Sequence, residues 1–253
     1  MRLAVCVLVL CAAGCTESTT ADTGATSLAT TPAAGTAVPE GVLGRGAPPV
    51  ELESYRSELV IDIEVAETTA HIAASGARQG ERFECTTEYV VDGESRTERI
   101  AGDADDVWLG EGSLLPSRYA EADVAAVLSI CPAATDFWVE LEVGRLDEVT
   151  ALEVVEVNGV TAARYDLAAA IADSLLIGVV PELSGVEYTA LQVWRQLDTG
   201  AIVRLVLAME ADASTLAESL GLDDADVEGT ASMRLTLDVT SVDDPTVAVT
   251  LPG

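Results

Sequence analysis

The chain has 253 residues, 43 of them acidic against 13 basic, for a formal net charge of −30. With 49% hydrophobic and 22% charged residues a sizeable core can form, while the negative surface repels nucleic-acid phosphate and anionic lipid headgroups. Every basic residue is Arg, which excludes lysine Schiff-base chemistry and a P-loop, and a single histidine, His71, argues against histidine-rich metal sites.

Met1 and Arg2 make a minimal positive start, and residues 3–13 are apolar, the length of a signal-peptide core and too short to span a membrane. The run ends at Ala12-Ala13-Gly14-Cys15, small residues before a cysteine that resemble the lipobox of bacterial lipoproteins. This predicts a signal peptide over 1–14 and lipidation of Cys15. Cys11 follows the bulky Leu10 and is the poorer acceptor; the alternative is an ordinary secretory cut near Ala13 or Gly14. Residues 16–49 are rich in Thr, Ala, Gly, Ser and Pro without hydrophobic period, so 15–49 reads as a lipidated disordered tether. As a flexible coil it reaches roughly 30 Å. The single folded domain is expected over 50–253.

Within that domain, residues 57–65 alternate, with Leu59, Ile61, Ile63 and Val65 on one face and acids on the other. One apolar and one wet face is the pattern of an antiparallel strand. Residues 82–91 repeat it, with Phe83, Cys85, Tyr89 and Val91 together, then Asp92-Gly93 turns into a returning strand at 95–100. Short strands are expected at 107–109 and 138–143. Strands 152–157 and 160–167 flank Asn158-Gly159, a strong hairpin signal. Strands 188–197 and 201–209 flank Asp198-Thr199-Gly200, and strands 230–239 and 246–251 close the chain around Asp243-Asp244-Pro245. Helices are expected at 117–130, 168–177 and 214–220, the second apolar nearly all round. The plan is α+β: nine to eleven antiparallel strands with helices inserted between hairpins. No G-x-G-x-x-G follows a strand, so a dinucleotide fold is not expected.

Cys6 and Cys11 leave with the signal peptide, and Cys15 carries lipid. Cys85 and Cys131 remain, and in an exported protein they most simply form a structural disulfide. A redox pair would need a C-x-x-C spacing or a basic neighbour, and neither is present. The acidic clusters Asp103/Asp105/Asp106 and Asp223/Asp224/Asp226/Glu228 lack the calcium-loop pattern and read as solvated turns. His71 lies in a strand-like segment and reads as a surface histidine. No G-x-S-x-G is present and no nucleophile–base pair can be named, so no catalytic residue, metal ligand or cofactor is assigned and an enzyme is not expected.

Several segments together resemble one family. Val157-Asn158-Gly159-Val160 leading into Ala163-Arg164-Tyr165-Asp166-Leu167 is similar to a hairpin of LppX/LprG-type bacterial lipoproteins. Val193-Trp194-Arg195-Gln196-Leu197-Asp198-Thr199-Gly200 with Ile202-Val203-Arg204-Leu205 resembles their next hairpin, and Leu235 to Val239 through Asp243-Asp244-Pro245 resembles their last strands and turn. Tyr55-Arg56-Ser57-Glu58-Leu59 fits their first strand. The resemblance implies a strongly curved antiparallel half-barrel, related to LolA/LolB carriers, with helices on its concave side. It further implies an apolar cavity for a lipid or acylated ligand, for which Leu59, Ile61, Ile63, Phe83, Tyr89, Ile171, Leu175 and Trp194 are the expected lining. The expected function is a lipid-anchored protein on the extracytoplasmic face of the cell membrane that binds or shuttles such a ligand. The alternative is an envelope interaction or sensor module with the same fold, a filled core and a protein partner.

Overall fold

A computed structural model describes residues 52–66, 68–103, 106–111, 131–134, 151–167, 186–214 and 228–251. Ten strands account for most of them: β1 (Ser54–Val65), β2 (Thr68–Gln79), β3 (Arg82–Val91), β4 (Glu94–Gly102), β5 (Val107–Glu111), β6 (Glu153–Val157), β7 (Val160–Asp166), β8 (Glu187–Gln196), β9 (Ile202–Asp212) and β10 (Thr230–Thr240). They form one antiparallel sheet in the order β5-β4-β3-β2-β1-β10-β9-β8-β7-β6. Each half is a meander of sequence neighbours. The two halves join where the first strand pairs with the last, Leu59 opposite Leu237 and Ile63 opposite Met233.

The turns follow their sequence chemistry. Asp92 and Gly93 both have positive φ (48° and 86°), as do Asn158 and Gly159 (53° and 78°). This is the I′ geometry whose twist matches the flanking strands, and it is why Asp-Gly and Asn-Gly mark these hairpins. At the Asp198-Thr199-Gly200 loop the Gly200 N–H donates to the Gln196 carbonyl at 3.0 Å.

The sheet corrects the expected α+β half-barrel with helices on its concave side. Among the described residues only Ala213 and Ser214 are helical and no helix packs on the sheet, which is open, with no ladder joining β5 to β6. The β3–β4 and β6–β7 hairpins close through the two-residue turns Asp92-Gly93 and Asn158-Gly159, which leave no room for a helix between their strands. The helices expected at 117–130 and 168–177, and the strand at 138–143, lie outside the described residues; of 214–220 only Ser214 is described.

Two further differences concern strands. β2 carries Ala, Ser and Gly, residues of modest strand preference, and has no clear alternation beyond its His71 segment. It is a strand because β1 and β3 pair with it on both sides throughout its length. The strand expected at 246–251 is instead an irregular tail. Both sides of β10 are already paired, so the tail buries Val247 and Val249 against Ala77 on the sheet's outer face.

The small residues of β2 have a packing purpose. A Cβ on Gly76 would lie 2.6 Å from Cys85 Sγ, 2.9 Å from the Glu84 carbonyl oxygen and 3.0 Å from Ala133 Cβ. Gly76→Ala is therefore expected to destabilise the fold by about 2 kcal/mol through overpacking, read as a lower urea midpoint at unchanged slope.

Candidate functional site

The face opposite the tail is the core, and strand register makes it a set of transverse rows. One row runs Tyr165, Val193, Leu205, Leu237, Leu59, Ala74, Thr87 and Glu98 from β7 to β4. The next runs Leu191, Leu207, Leu235, Ile61, Ile72, Tyr89 and Arg96 from β8 to β4. Both rows are apolar from β8 to β2 and turn polar at β3–β4. The apolar stretch covers four strand spacings, about 19 Å, the length of a long-chain acyl group.

Of the residues expected to line a cavity, Leu59, Ile61, Ile63, Phe83 and Tyr89 stand on this inner face. Trp194 stands on the other. It pairs with Arg204 and packs with Val157, Ala162, Val203 and Val206. Ile171 and Leu175 lie outside the described residues.

Cys85 and Cys131 form a disulfide with Cα atoms 5.9 Å apart. It holds residues 131–134 on the inner face, where Cys131 and Ala133 are fully buried. The Tyr55 hydroxyl donates to the Pro132 carbonyl at 3.0 Å and ties the same segment to β1.

At the polar end of the rows, Thr87 faces Glu98 and Tyr89 faces Arg96 across β3 and β4. Glu98 is only 6% exposed. Its carboxylate accepts from the Tyr89 hydroxyl at 3.3 Å and pairs with the Arg96 guanidinium. Burial pushes the Tyr89 hydroxyl's pKa well above its usual value, and the Glu98 charge adds to the effect, so Tyr89 stays protonated and can only donate to Glu98. Thr87 is 1% exposed; its hydroxyl lies near Tyr89 yet completes no hydrogen bond. Neither Thr87 nor Glu98 stands out by motif. The one sequence signal is the spacing of Glu98 to Ile100, which places an acid on the buried side of β4.

A second polar inclusion lies near the β8–β9 hairpin, where the buried Arg195 donates from Nε to the Gly200 carbonyl at 2.7 Å. It braces the loop whose glycine carries a φ of 76°.

The outer face carries its own network. Arg204 donates to both carboxylate oxygens of Asp238, at 2.6 and 3.0 Å, and its guanidinium lies 5.9 Å from the Trp194 ring centre. Asn158 Nδ2 donates to Asp238 Oδ1 at 2.8 Å and to the Val203 carbonyl at 2.9 Å, fastening the β6–β7 turn across the sheet. Asp238→Ala leaves both donors without their acceptor and is expected to cost about 1–2 kcal/mol, after allowance for the partial exposure of the pair. Thermal unfolding of this variant beside Asp238→Asn, which keeps one acceptor, checks it.

His71 is exposed, with Nδ1 2.6 Å from Asp62 Oδ1 on the neighbouring strand. In the β4–β5 turn, Asp103 Oδ1 accepts from the Asp106 N–H at 2.9 Å. Of the second acidic cluster only Glu228 is described. Among the described residues no group of three or more His, Cys, Asp or Glu side chains could hold a metal ion.

No protein-family model matches the chain, and no curated protein does. Among solved structures it is similar to a DUF1329 family protein from Desulfovibrio piger, at 12% sequence identity and a TM-score of 0.25. That similarity covers 80% of this chain and 96% of the other.

Proposed function

We propose that this is an exported, lipid-anchored binding protein that holds the acyl part of a lipid or acylated ligand against the inner face of its sheet. The supporting observation is the pair of register rows that stay apolar from β8 to β2. Binding of this kind needs no covalent chemistry; each methylene removed from water contributes about 0.8 kcal/mol. The LolA-like relationship suggested by the hairpin and turn segments belongs to this reading. Attachment falls to Cys15, because a surface with a net charge of −30 is repelled by anionic headgroups. The tether over residues 16–49 would let the domain reach roughly 30 Å from its anchor.

Two experiments test the two halves of the proposal. Protein incubated with lipid extract and sprayed intact is expected to carry acyl adducts in native mass spectrometry; a spectrum with none overturns the binding role. Cys15→Ser is expected to move the protein from the membrane to the soluble fraction, and retention at the membrane overturns the anchor.

A second reading is an interaction or sensor module with the same sheet and a filled interior. The complete burial of Val193, Leu207 and Val239 favours it. Capture of one defined envelope protein, together with empty lipid spectra, would select it over the first.

A further inference from the structure

We infer that the Thr87–Tyr89–Glu98–Arg96 block is a headgroup subsite that recognises an uncharged, hydroxyl-bearing amphiphile. The inference rests on the acyl-binding reading above and names the other end of the ligand.

Position supplies the first part of the case. The block terminates both apolar rows on the same face, so an acyl chain lying along Leu237, Leu59 and Ala74 would bring its polar end to Thr87 and Glu98. The neighbouring β3–β4 hairpin is open to solvent, with Arg96 45% exposed at its side chain, which gives a headgroup a way in.

Unused hydrogen-bonding capacity supplies the second. A hydroxyl that is 1% exposed and completes no hydrogen bond costs stability, and a same-shaped Val would avoid that cost. Thr87 stands opposite Glu98 in the strand register, with its hydroxyl beside Tyr89. A carboxylate has about four acceptor positions, and the Tyr89 hydroxyl and Arg96 use two of them on Glu98. The block thus offers an acceptor for a ligand hydroxyl and a second hydroxyl that can donate or accept.

Charge sets the class. Arg96 is already paired with Glu98, and the chain as a whole is strongly negative, so a phosphate or carboxylate headgroup would meet repulsion. An uncharged headgroup with hydroxyl donors matches.

The test is calorimetric titration of the full-length protein with monododecanoylglycerol, methyl dodecanoate and dodecyl phosphate. The three share a chain length and differ in headgroup. Wild type is expected to bind monododecanoylglycerol tightest. Thr87→Val and Glu98→Gln should each weaken it by about tenfold, the size of one hydrogen bond in a desolvated site, and leave methyl dodecanoate unchanged. Thr87→Val should also unfold no earlier than wild type, so it keeps the inference testable if Glu98→Gln does not fold. Equal weakening of all three ligands, no weakening, or a preference for dodecyl phosphate would each overturn the subsite while leaving acyl binding intact. If wild type binds none of the three, the acyl-binding reading itself falls and the subsite with it.

Discussion

Replacing Cys85 and Cys131 together by Ser is expected to lower the unfolding free energy by about 4 kcal/mol. The bond closes a loop of sequence separation 46. In the chain-entropy model, removing that closure from the unfolded ensemble gives about 4 kcal/mol at 25 °C. The enthalpic side points the same way. Residues 131–134 also meet the sheet at Gly76 and the Tyr55 hydroxyl, and without the bond the segment loses its covalent hold on β3. Urea unfolding of the double variant beside wild type measures the change. Because Cys131 is fully buried, added reductant should act only slowly on native protein, so the variant is the cleaner comparison. An unchanged midpoint would mean that residues 131–134 are held without the covalent link.

Leu207→Ala is expected to cost about 3 kcal/mol, the lost transfer energy plus a cavity that its neighbours cannot close. Leu207 is fully buried and stands between Leu191 and Leu235 in its row, on a strand paired along both sides. Backbone hydrogen bonds on both sides keep β9 from moving in to fill the space. Leu152→Ala provides the contrast: that side chain is 55% exposed, and its loss should shift stability by less than about 0.5 kcal/mol. If both substitutions cost the same, Leu207 does not contribute the buried contact that its place in the row indicates.

Much of the sheet was legible because period-2 alternation is a local signal. Residues 57–65, 82–91 and 160–167 lie on β1, β3 and β7 to within three residues at either end. Asp92-Gly93 and Asn158-Gly159 marked their hairpins because the required positive φ is a property of those residue types. The disulfide partners were legible by count. β2 was not, since its small side chains answer to the close approach of Cys85 and Ala133 rather than to solvent.

The side taken by Trp194 was not legible either. Val193, Trp194 and Arg195 are all buried: Val193 lies in the inner row, while Trp194 packs on the other face with Val157, Ala162, Val203 and Val206, so alternation disappears from the sequence. The register irregularity between Trp194 and Arg195 shifts the pairing again. Likewise the valines of the tail, Val247 and Val249, alternate as a strand would, but they bury against Ala77 from above rather than through a ladder.

The headgroup block shows the same division. Alternation within β3 and β4 put Thr87 and Glu98 each on a buried side. That they face one another, at the end of a row that begins on β7, depends on seven successive strand registers. By itself the sequence determined the strands, their apolar sides, the tight turns and the pairing of the two remaining cysteines, because each depends on neighbours a few residues away or on a count of two. Strand order, the joining of β1 to β10, the openness of the sheet and the faces of Trp194 and the tail were decided only in three dimensions. Joining β1 to β10 costs the closure entropy of nearly the whole domain, and that cost is met only when the full inner face is buried at once.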